Sequence, residues 1–386
     1  MNILVFNVGS TTLKFACIDS NSGERLTQGI VDRIGQNGDD APDHLSAATA
    51  TLAKHHDLRI DAIAHRIVQG ADLFLKPTLV DDSVLSGLAQ LDTLAPLHNP
   101  PARAVVEAIW KQDNSVPQVL VFDSAYFATL TAKAFRYAVP ENVFRQHRVR
   151  RFGAHGTSHQ YVTRRAIAWL NDTDKSNCPS HRIISLHLGG GASATASVGG
   201  LAIETSMGMT PLEGLVMATR TGDIDPSVAL HLMRTAGMSV DDVDRLLNKQ
   251  SGLLGLCGEI DMRKILERRE AGDEAATLAI EIYVHRIQKY IGAYFAILGG
   301  LDAIVFTAGV GENAAIIREL VTTPLAHLGI RVEPSLNSPS PDKRIVRDVS
   351  IAEAPARTLI VPTDEEFAIA IEAEKLLCSD SVGESQ

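Results

Sequence analysis

The chain has 386 residues, 45% of them hydrophobic, and a formal net charge of −10 with a pI near 5.7. This length suffices for two or three domains with proper cores, and the acidic balance argues against nucleic acid or an anionic membrane as principal partner. Four widely separated cysteines without metal-ligand spacing, no secretory pattern at the start and no apolar run long enough for a bilayer predict a cytoplasmic protein with reduced thiols.

The first predicted element is a hairpin with a turn suited to a phosphate. The apolar runs 3–6 and 15–18 predict two strands, and Gly9 between them lets the backbone approach an anion closely. Lys14 supplies a charged donor. The hydroxyl donors of the turn are Ser10, Thr11 and Thr12. On this segment alone, an ordinary solvent-facing turn is an equal alternative.

Strand and helix patterns then alternate, which indicates an α/β fold. Residues 98–101, with two prolines, predict the start of a helix that runs to Trp110. The apolar run 119–122 predicts a buried strand ending at Asp123, and the polar stretch 171–180 predicts a surface loop.

A second hairpin is predicted from strands 182–188 and 194–198 around a glycine-rich turn. Three consecutive glycines are costly unless the backbone bends sharply or touches something. They are Gly189, Gly190 and Gly191. Two such hairpins, one in each half of the chain, predict a duplicated fold with a nucleotide in the cleft between the halves.

The last third of the chain continues the alternation of helices and strands. The predicted elements are a long amphipathic helix over 273–298, a buried strand over 303–306, a loop over 334–343, a strand over 358–361, a final helix opening at Glu365 and a frayed tail over 379–386.

Seven separated segments of the chain carry recognisable motifs: residues 7–14, 65–68, 122–125, 153–159, 187–191, 219–226 and 307–313. Together these motifs resemble the acetate kinase family of short-chain acyl kinases, within the sugar kinase/heat-shock chaperone/actin superfamily. The resemblance covers nearly the whole chain, and the number and order of the motifs make chance agreement implausible.

The resemblance implies reversible transfer of the ATP γ-phosphoryl group to acetate, giving acetyl phosphate and ADP. It implies a duplicated, two-lobe, ribonuclease H-like α/β fold with a central nucleotide cleft that closes to exclude water. The lobes are expected at 1–149, completed by a C-terminal helix of about 365–386, and at 150–364. A cytoplasmic homodimer with a role in acetyl-CoA biosynthesis is also expected.

The resemblance assigns the chemistry to four residues. Arg66 and Arg220 would hold the carboxylate and the phosphoryl oxygens, because a guanidinium makes forked bonds; an ion pair of Arg220 with Asp223 or Asp225 is the alternative. Asp123 would lie in the metal region or position the acceptor, unless it is only a turn cap. His155 would donate to the phosphoryl group in flight.

Three further histidines fall within or beside the motifs. His155 and His159 could bind a metal as an i, i+4 pair only on a helix, and the nearby glycines argue against a helix there. His159 is therefore expected to pack and to form hydrogen bonds. His98 matches a family histidine near the site and could be structural. His187 could serve either the phosphate turn or the packing.

A metal and a nucleotide complete the predicted site. Mg²⁺, or Mn²⁺, would be held near Asn7 and Glu365, although an acidic residue at a helix start is favoured by the dipole anyway. The nucleotide and phosphate residues are Lys14, Ser10, Thr12, His187, Gly189, Gly190, Gly191, Asp261, Met262, Arg263, Gly309, Val310, Gly311 and Asn313. The substrate pocket is assigned to Arg66, Val68, Leu97, Ala154 and Pro211.

The chain departs from the family pattern at three positions. Gly190 replaces an asparagine, which removes a side-chain donor near the phosphates. Ala154 replaces a phenylalanine of the acyl pocket, which predicts better use of propionate or a longer acid unless a neighbour refills the space. Asp364 replaces an asparagine, and we expect it to cap the last helix rather than to join the metal site.

Two other functions compete with the acetate kinase interpretation. A propionate or butyrate kinase would differ in the preferred acid. An actin-like or chaperone-like ATPase would hydrolyse ATP without a carboxylate and act as a binding module.

Overall fold

The structure is a computed structural model that describes residues 1–9, 12–35, 41–95, 98–174, 180–339, 342 and 344–383. The chain forms two compact units. The first comprises Met1–Ala128, Ala154–Ser158 and Asp364–Gln386, and the second comprises Thr129–Gly153 and His159–Thr363. The predicted lobe boundaries stay a prediction.

Strands and helices alternate along the described chain. The strands are β1 (Asn2–Val8), β2 (Leu13–Asp19), β3 (Arg25–Val31), β4 (Ala62–Ile67), β5 (Thr78–Leu79), β6 (Gln118–Phe122), β7 (Arg182–Leu188), β8 (Ala192–Val198), β9 (Leu201–Thr205), β10 (Ala303–Thr307), β11 (Arg347–Asp348) and β12 (Arg357–Ile360). The α-helices are α1 (His44–Lys54), α2 (Asp82–Ala89), α3 (Asn99–Gln112), α4 (Ala132–Phe135), α5 (Glu141–His147), α6 (Gly156–Asp174), α7 (Pro226–Thr235), α8 (Val240–Lys249), α9 (Gly252–Cys257), α10 (Met262–Glu270), α11 (Glu274–Leu298), α12 (Ala308–Asn313), α13 (Ala315–Thr322) and α14 (Glu365–Gly383).

The two units carry sheets of the same topology. The first sheet has the order β3-β2-β1-β4-β6-β5 and the second has β9-β8-β7-β10-β12-β11 when read in the corresponding direction. In each, an antiparallel three-stranded meander is followed by two parallel strands and a short antiparallel edge strand. The predicted duplicated α/β fold is therefore confirmed.

Both predicted hairpins are present. Strands β1 and β2 pair from Asn2↔Asp19 to Val8↔Leu13, and the turn between them is closed by a hydrogen bond from Gly9 N to Thr12 O at 2.8 Å. Strands β7 and β8 pair from Arg182↔Val198 to Leu188↔Ala192. Only Gly189–Gly191 remain as the second turn, so β8 begins earlier than predicted.

The first sheet is apolar on both faces. Successive side chains of a strand point to opposite faces, and consecutive residues of β1 are apolar. Ile3 and Val5 belong to the cluster that includes Ile369 of α14, whereas Leu4 and Phe6 belong to the cluster that includes Val105 of α3. The sheet is thereby covered on both sides, as expected for parallel strands.

The second sheet buries one face against α6. Val162, Ala166 and Leu170 of that helix share a buried cluster with Val305 of β10 and Leu359 of β12. The long helix α11 packs against β7 and β8. The second sheet therefore packs against two long helices, α6 and α11.

Most predicted elements outside the hairpins are confirmed, including α3 with its N-terminal prolines, α11 capped by Asp273, and the final helix opening at Glu365. The loop predicted from residue 171 is wrong in part, because α6 continues to Asp174; residues 175–179 lie outside the described residues. The tail predicted to fray from residue 379 is helical to Gly383, and residues 384–386 are not described.

Cys17 and Cys257 are buried free thiols, Cys378 is exposed on α14, and Cys178 lies outside the described residues. Among the helices that the structure describes, none combines the length and the apolar character that a bilayer crossing requires.

Gly156 at the start of α6 lies so close to the Asp123 backbone that a Cβ there would be 1.8 Å from the Asp123 carbonyl oxygen. We expect Gly156→Ala to lower the free energy of unfolding by about 1–3 kcal/mol, because the backbone must shift to admit a methyl group. Denaturant unfolding measures this change.

The matched control is Gly292→Ala in α11, where an added Cβ would meet nothing within 4 Å. This control should be neutral or stabilising by up to about 1 kcal/mol. Equal stability of Gly156→Ala and the wild type would contradict the close approach.

Candidate active site

The carboxyl ends of three adjacent parallel strands bring polar side chains together in the first unit. Strand β4 pairs in parallel with β1 on one side and with β6 on the other. Asn7 lies near the end of β1, Arg66 near the end of β4, and Asp123 directly after β6. The sheet order therefore gathers three predicted residues that are far apart in sequence.

Arg66 is held by a fork of hydrogen bonds to Asp123. Its Nε donates to Asp123 Oδ1 at 3.2 Å and its Nη2 to Asp123 Oδ2 at 2.6 Å. Its Nη1 donates to Asn7 Oδ1 at 3.0 Å. Burial disfavours the charged form of Arg66, but the charges of Asp123, Glu365 and Glu366 outweigh this effect and raise the pKa of Arg66 above its ordinary value.

Asp123 is fully buried, and its carboxylate is occupied by side chains. Besides Arg66, Thr157 Oγ1 donates to Asp123 Oδ1 at 2.9 Å. The described hydrogen bonds of this carboxylate come from side chains, one of them that of Thr157 at the second position of α6, and the role of Asp123 stays a prediction.

Two glutamates at the start of α14 lie beside Asn7. Asn7 Nδ2 donates to Glu365 Oε2 at 3.3 Å and to Glu366 Oε1 at 3.1 Å. Glu365 Oε2 is also 3.9 Å from Arg66 Nε. Glu366 was not in the predicted site; its place next to Glu365 in the sequence was the available signal.

Asp364 is a helix cap, as predicted. Its Oδ1 accepts a hydrogen bond from Phe367 N at 3.0 Å, and it pairs with Arg25 of β3. These contacts direct the carboxylate to α14 and to the neighbouring strand.

The carboxylates beside Asn7 fit the oxygen ligands that Mg²⁺ prefers, because this ion commonly takes one or two carboxylates and completes its shell with water and phosphate oxygens. No cluster of three or more His, Cys, Asp or Glu side chains arranged to bind a metal occurs in the described part of the chain.

The motif around His155 contains both a strained turn and a helix start. His155 has φ +59°, in the left-handed region that is costly for residues other than glycine. Helix α6 begins directly afterwards at Gly156, so the prediction that no helix forms here is wrong. His155 is nevertheless outside that helix, and an i, i+4 metal pair with His159 is not formed.

His159 is a packing residue, as predicted. It is fully buried, and its ring nitrogens lie 2.7 Å from the hydroxyls of Ser185 and Ser193. Its ring centroid is 6.2 Å from that of His187 on β7. His98 precedes α3 as its N-cap residue without a side-chain capping bond, and its role near the site stays a prediction.

In the second unit, the glycine turn and the strand β10 also meet at carboxyl ends. His187 of β7 pairs with Thr307 of β10, so the turns that follow these strands are neighbours. Gly189 N donates to Gly191 O at 2.9 Å, and the Gly190 carbonyl accepts from Ala218 N at 3.0 Å. A Cβ at Gly190 would meet nothing within 4 Å, so the position is sterically open.

A cavity of about 870 Å³ lies against these turns, within the size range of small-molecule sites. Eight residues predicted to bind nucleotide or phosphate line it: Gly189, Gly190, Asp261, Met262, Arg263, Gly309, Val310 and Asn313. Sequence reasoning missed Tyr283, which also lines it. The Tyr283 hydroxyl is buried and has no hydrogen-bond partner among the described residues, so a ligand in the cavity could satisfy it.

The turn before Gly309 is held by groups that sequence reasoning did not assign. Ala308 has φ +63°, and its N–H donates to Glu312 Oε1 at 2.9 Å. Buried Arg318 donates to the carbonyls of Gly311 and Glu312 at 2.8 and 3.0 Å. An arginine in the apolar stretch of α13 was the signal that could have revealed this support.

Arg220 lies in the loop before α7, and its Nη1 donates to the Pro211 carbonyl at 3.0 Å. The alternative partners are engaged elsewhere. Asp223 accepts from Tyr290 and pairs with Arg286, and Asp225 caps α7 through Ser227 N.

The remaining predicted residues divide between the units. Lys14 is exposed and pairs with Asn7 across the first hairpin, so both side chains lie on one face. Val68 and Ala154 are buried in the first unit, whereas Pro211 belongs to the second. Ser10 and Leu97 lie outside the described residues.

The chain is similar to known proteins over nearly its whole length. A family model described as the Acetokinase family matches residues 2–371. The acetate kinase of Streptomyces coelicolor is 45% identical over 97% of this chain and 97% of its own. Among solved structures, the acetate kinase of Porphyromonas gingivalis has a TM-score of 0.87 at 36% identity and covers 97% of this chain and 99% of that chain.

A propionate kinase from Francisella tularensis aligns equally well, with a TM-score of 0.87, 36% identity, and coverage of 96% of this chain and 98% of that chain. The duplicated fold and these likenesses make the chain a kinase. It belongs to the acetokinase family.

Two buried histidines predict a loss of stability in mild acid. Burial is the main cause that lowers the pKa of His65 to about 4 and holds the pKa of His159 well below its ordinary value. The unfolded chain therefore binds more protons below about pH 6.5, and the stability present above that pH is lost as pH falls toward 4.

For His65, whose pKa is about 4, the loss between about pH 6.5 and pH 5 is about 2 kcal/mol. Unfolding of wild type and His65→Gln at about pH 7.5 and pH 5 measures it, and the variant should show a correspondingly smaller loss. The exposed His56→Gln should behave as wild type. An identical pH dependence in all three proteins would refute the assignment.

Proposed function

We propose that the chain catalyses reversible transfer of the γ-phosphoryl group of ATP to acetate, giving acetyl phosphate and ADP. A carboxylate oxygen of the acid forms the new P–O bond as the bond to the ADP oxygen breaks. The acceptor is already an anion, so no strong base is required. The observation that carries the proposal is the forked Arg66–Asp123 pair in a chain of the acetokinase family.

The difficulty of this reaction is electrostatic, since an anion must approach a polyphosphate. Arg66 supplies a positive charge that is fixed in orientation by Asp123 and Asn7. Arg220 would supply a second guanidinium, and His155 a donor to the phosphoryl oxygens. Direct in-line transfer is the expected course.

Mg²⁺ is proposed as the metal, held by Glu365 with Asn7 and Glu366 beside it. When bound, the ion would neutralise phosphate oxygens. Asn7 contributes by keeping both carboxylates in place through its amide group.

The cavity beside the glycine turn is the proposed nucleotide site. Its backbone-rich wall at Gly189, Gly190 and Gly309 suits close approach of phosphates, and its volume suits a nucleotide. A homodimer, which is expected from the family resemblance alone, and a cytoplasmic location both stay predictions.

Propionate is the second candidate acceptor. One structural relative is described as a propionate kinase, and Ala154 stands where the family pattern has phenylalanine. Each further methylene buried would contribute about 0.8 kcal/mol. Ala154 is only 2% exposed, so neighbouring side chains can already fill part of this space.

Acyl phosphate formation from Mg²⁺-ATP, trapped as the hydroxamate, tests the reaction with acetate, propionate and butyrate. We expect product with acetate, and a smaller preference for acetate over propionate than in the Ala154→Phe variant, because the added ring fills the acyl pocket. Strict and equal acetate preference in both proteins would contradict the open pocket.

ATP hydrolysis with no acyl phosphate from any acid would instead support an ATPase binding module and refute the proposed reaction. Controls without acid, and with a chelator of divalent ions, separate the two activities.

Gly190→Asn tests whether the missing side-chain donor limits catalysis. The position is open, so the variant should fold as wild type. If backbone donors now carry part of the phosphoryl stabilisation, an added amide should raise kcat or lower KM for ATP, by up to about tenfold for one hydrogen bond. Unchanged kcat and KM in a variant whose thermal unfolding shows an intact fold would refute the hypothesis that the missing donor limits catalysis.

A further inference from the structure

The loop between β9 and α7 carries two residues of the proposed site, Pro211 and Arg220. Residues 206–225 contain no helix or strand. Arg220 Nη1 donates to the Pro211 carbonyl oxygen at 3.0 Å, so the direction of the guanidinium depends on where Pro211 is held. A loop without regular structure needs other groups to fix that position.

Three side chains near this loop form what we call the Glu213 clamp: Tyr137, Arg151 and Glu213. Arg151 Nη2 donates to Glu213 Oε1 at 2.7 Å, and the Tyr137 hydroxyl donates to Glu213 Oε2. Both oxygens of this carboxylate, two residues after Pro211, are thus engaged by the segment that precedes α6.

The same side chains also bind the loop backbone before Pro211. Arg151 Nη1 donates to the carbonyls of Thr205, Ser206 and Met207 at 3.0, 3.2 and 3.0 Å. The Tyr137 oxygen accepts from Met209 N at 3.1 Å. The clamp therefore holds the chain on both sides of Pro211.

Gly208 shows how closely the loop crosses the clamp. A Cβ at this position would lie 1.9 Å from Glu213 Oε2 and 2.2 Å from the Tyr137 hydroxyl oxygen. The Gly208 carbonyl also accepts from Phe152 N and Gly153 N at 2.9 and 3.1 Å. Any side chain at this position would displace the Glu213 carboxylate or the Tyr137 hydroxyl.

The charges of the clamp reinforce its geometry. Burial opposes the charge of Arg151, but Glu213 outweighs this and raises the pKa of Arg151 above its ordinary value. Burial, followed by the Glu213 carboxylate, raises the pKa of Tyr137. Arg151 therefore stays charged and Tyr137 stays a hydrogen-bond donor through the neutral pH range.

We propose that the Glu213 clamp is a positioning device that fixes Pro211 and, through its carbonyl, aims the Arg220 guanidinium at the acid substrate. This inference rests on the proposed phosphoryl transfer to a carboxylate. The nucleotide cavity is lined chiefly by other elements, namely the glycine turn, α10 and α12, and the loop contributes Ala218 to its lining. Loss of the clamp should consequently affect the acid more than ATP.

The test compares Glu213→Gln and Tyr137→Phe with wild type in the hydroxamate assay, varying acetate and ATP separately. Misplacement of a positioned group by about 1 Å can cost about a hundredfold, so we expect kcat/KM for acetate to fall about tenfold to a hundredfold. KM for ATP should stay within about twofold, since the cavity is intact. The matched control is Glu281→Gln, an exposed glutamate on α11, which should be unchanged.

Unchanged acetate kinetics in both variants would overturn the inference. Equal losses in kcat/KM for acetate and for ATP together with a lower Tm would also overturn it, because they would indicate a structural role alone. If Glu213→Gln does not fold, Tyr137→Phe decides, because it removes only one hydroxyl. A wild type that forms no acyl phosphate would refute the proposed function itself, which is a separate result from wild-type activity with insensitive variants.

Discussion

The buried pair between Arg66 and Asp123 is the interaction on which the cluster of polar side chains in the first unit depends. Burial of two charges is costly unless the geometry is good and the remaining donors and acceptors are satisfied. Here the fork to Asp123 is completed by Asn7 on the arginine and by Thr157 on the carboxylate. The pair is therefore stable only while the ends of three strands and the start of α6 stay together.

That requirement explains features that are otherwise unrelated. Position 156 requires glycine because the Asp123 backbone passes directly beside it. His155 adopts a left-handed conformation just before the helix begins. Strain of this kind persists only where the surrounding structure over-determines it. A positive charge fixed in this way can bind an anion without reorganisation, which is the main source of electrostatic stabilisation in enzymes.

In the second unit, backbone groups rather than charged side chains line the candidate site. Its glycine turn and the strained Ala308 turn line a cavity with peptide groups, and the supporting charges, Glu312 and Arg318, point at the turn rather than at the cavity. The same sheet topology thus carries side-chain charges in one unit and backbone groups in the other.

The sequence predicted the parts that depend on local patterns. Apolar runs on either side of small-residue turns indicated both hairpins, and the family resemblance assigned Asn7, Arg66 and Asp123 to one site. The parallel strand pairing that brings these three residues together is a finding of the structure. The sequence could not predict contacts set by distant segments. Nothing local to Tyr137 shows that it holds Glu213, and for Glu366 only its place next to Glu365 in the sequence indicated that it lies beside Asn7. The helix from Gly156 was missed because two glycines suggested a loop, whereas close packing on Asp123 demands the second of them.

The proposed phosphoryl transfer depends on the forked geometry of Arg66 and not only on its charge. Measuring kcat/KM for acetate in Arg66→Lys tests this dependence, because lysine keeps one positive charge but loses the fork. We expect a loss of at least about a hundredfold, with thermal stability measured in parallel. Activity of the lysine variant within about twofold of wild type would show that the fork is not needed.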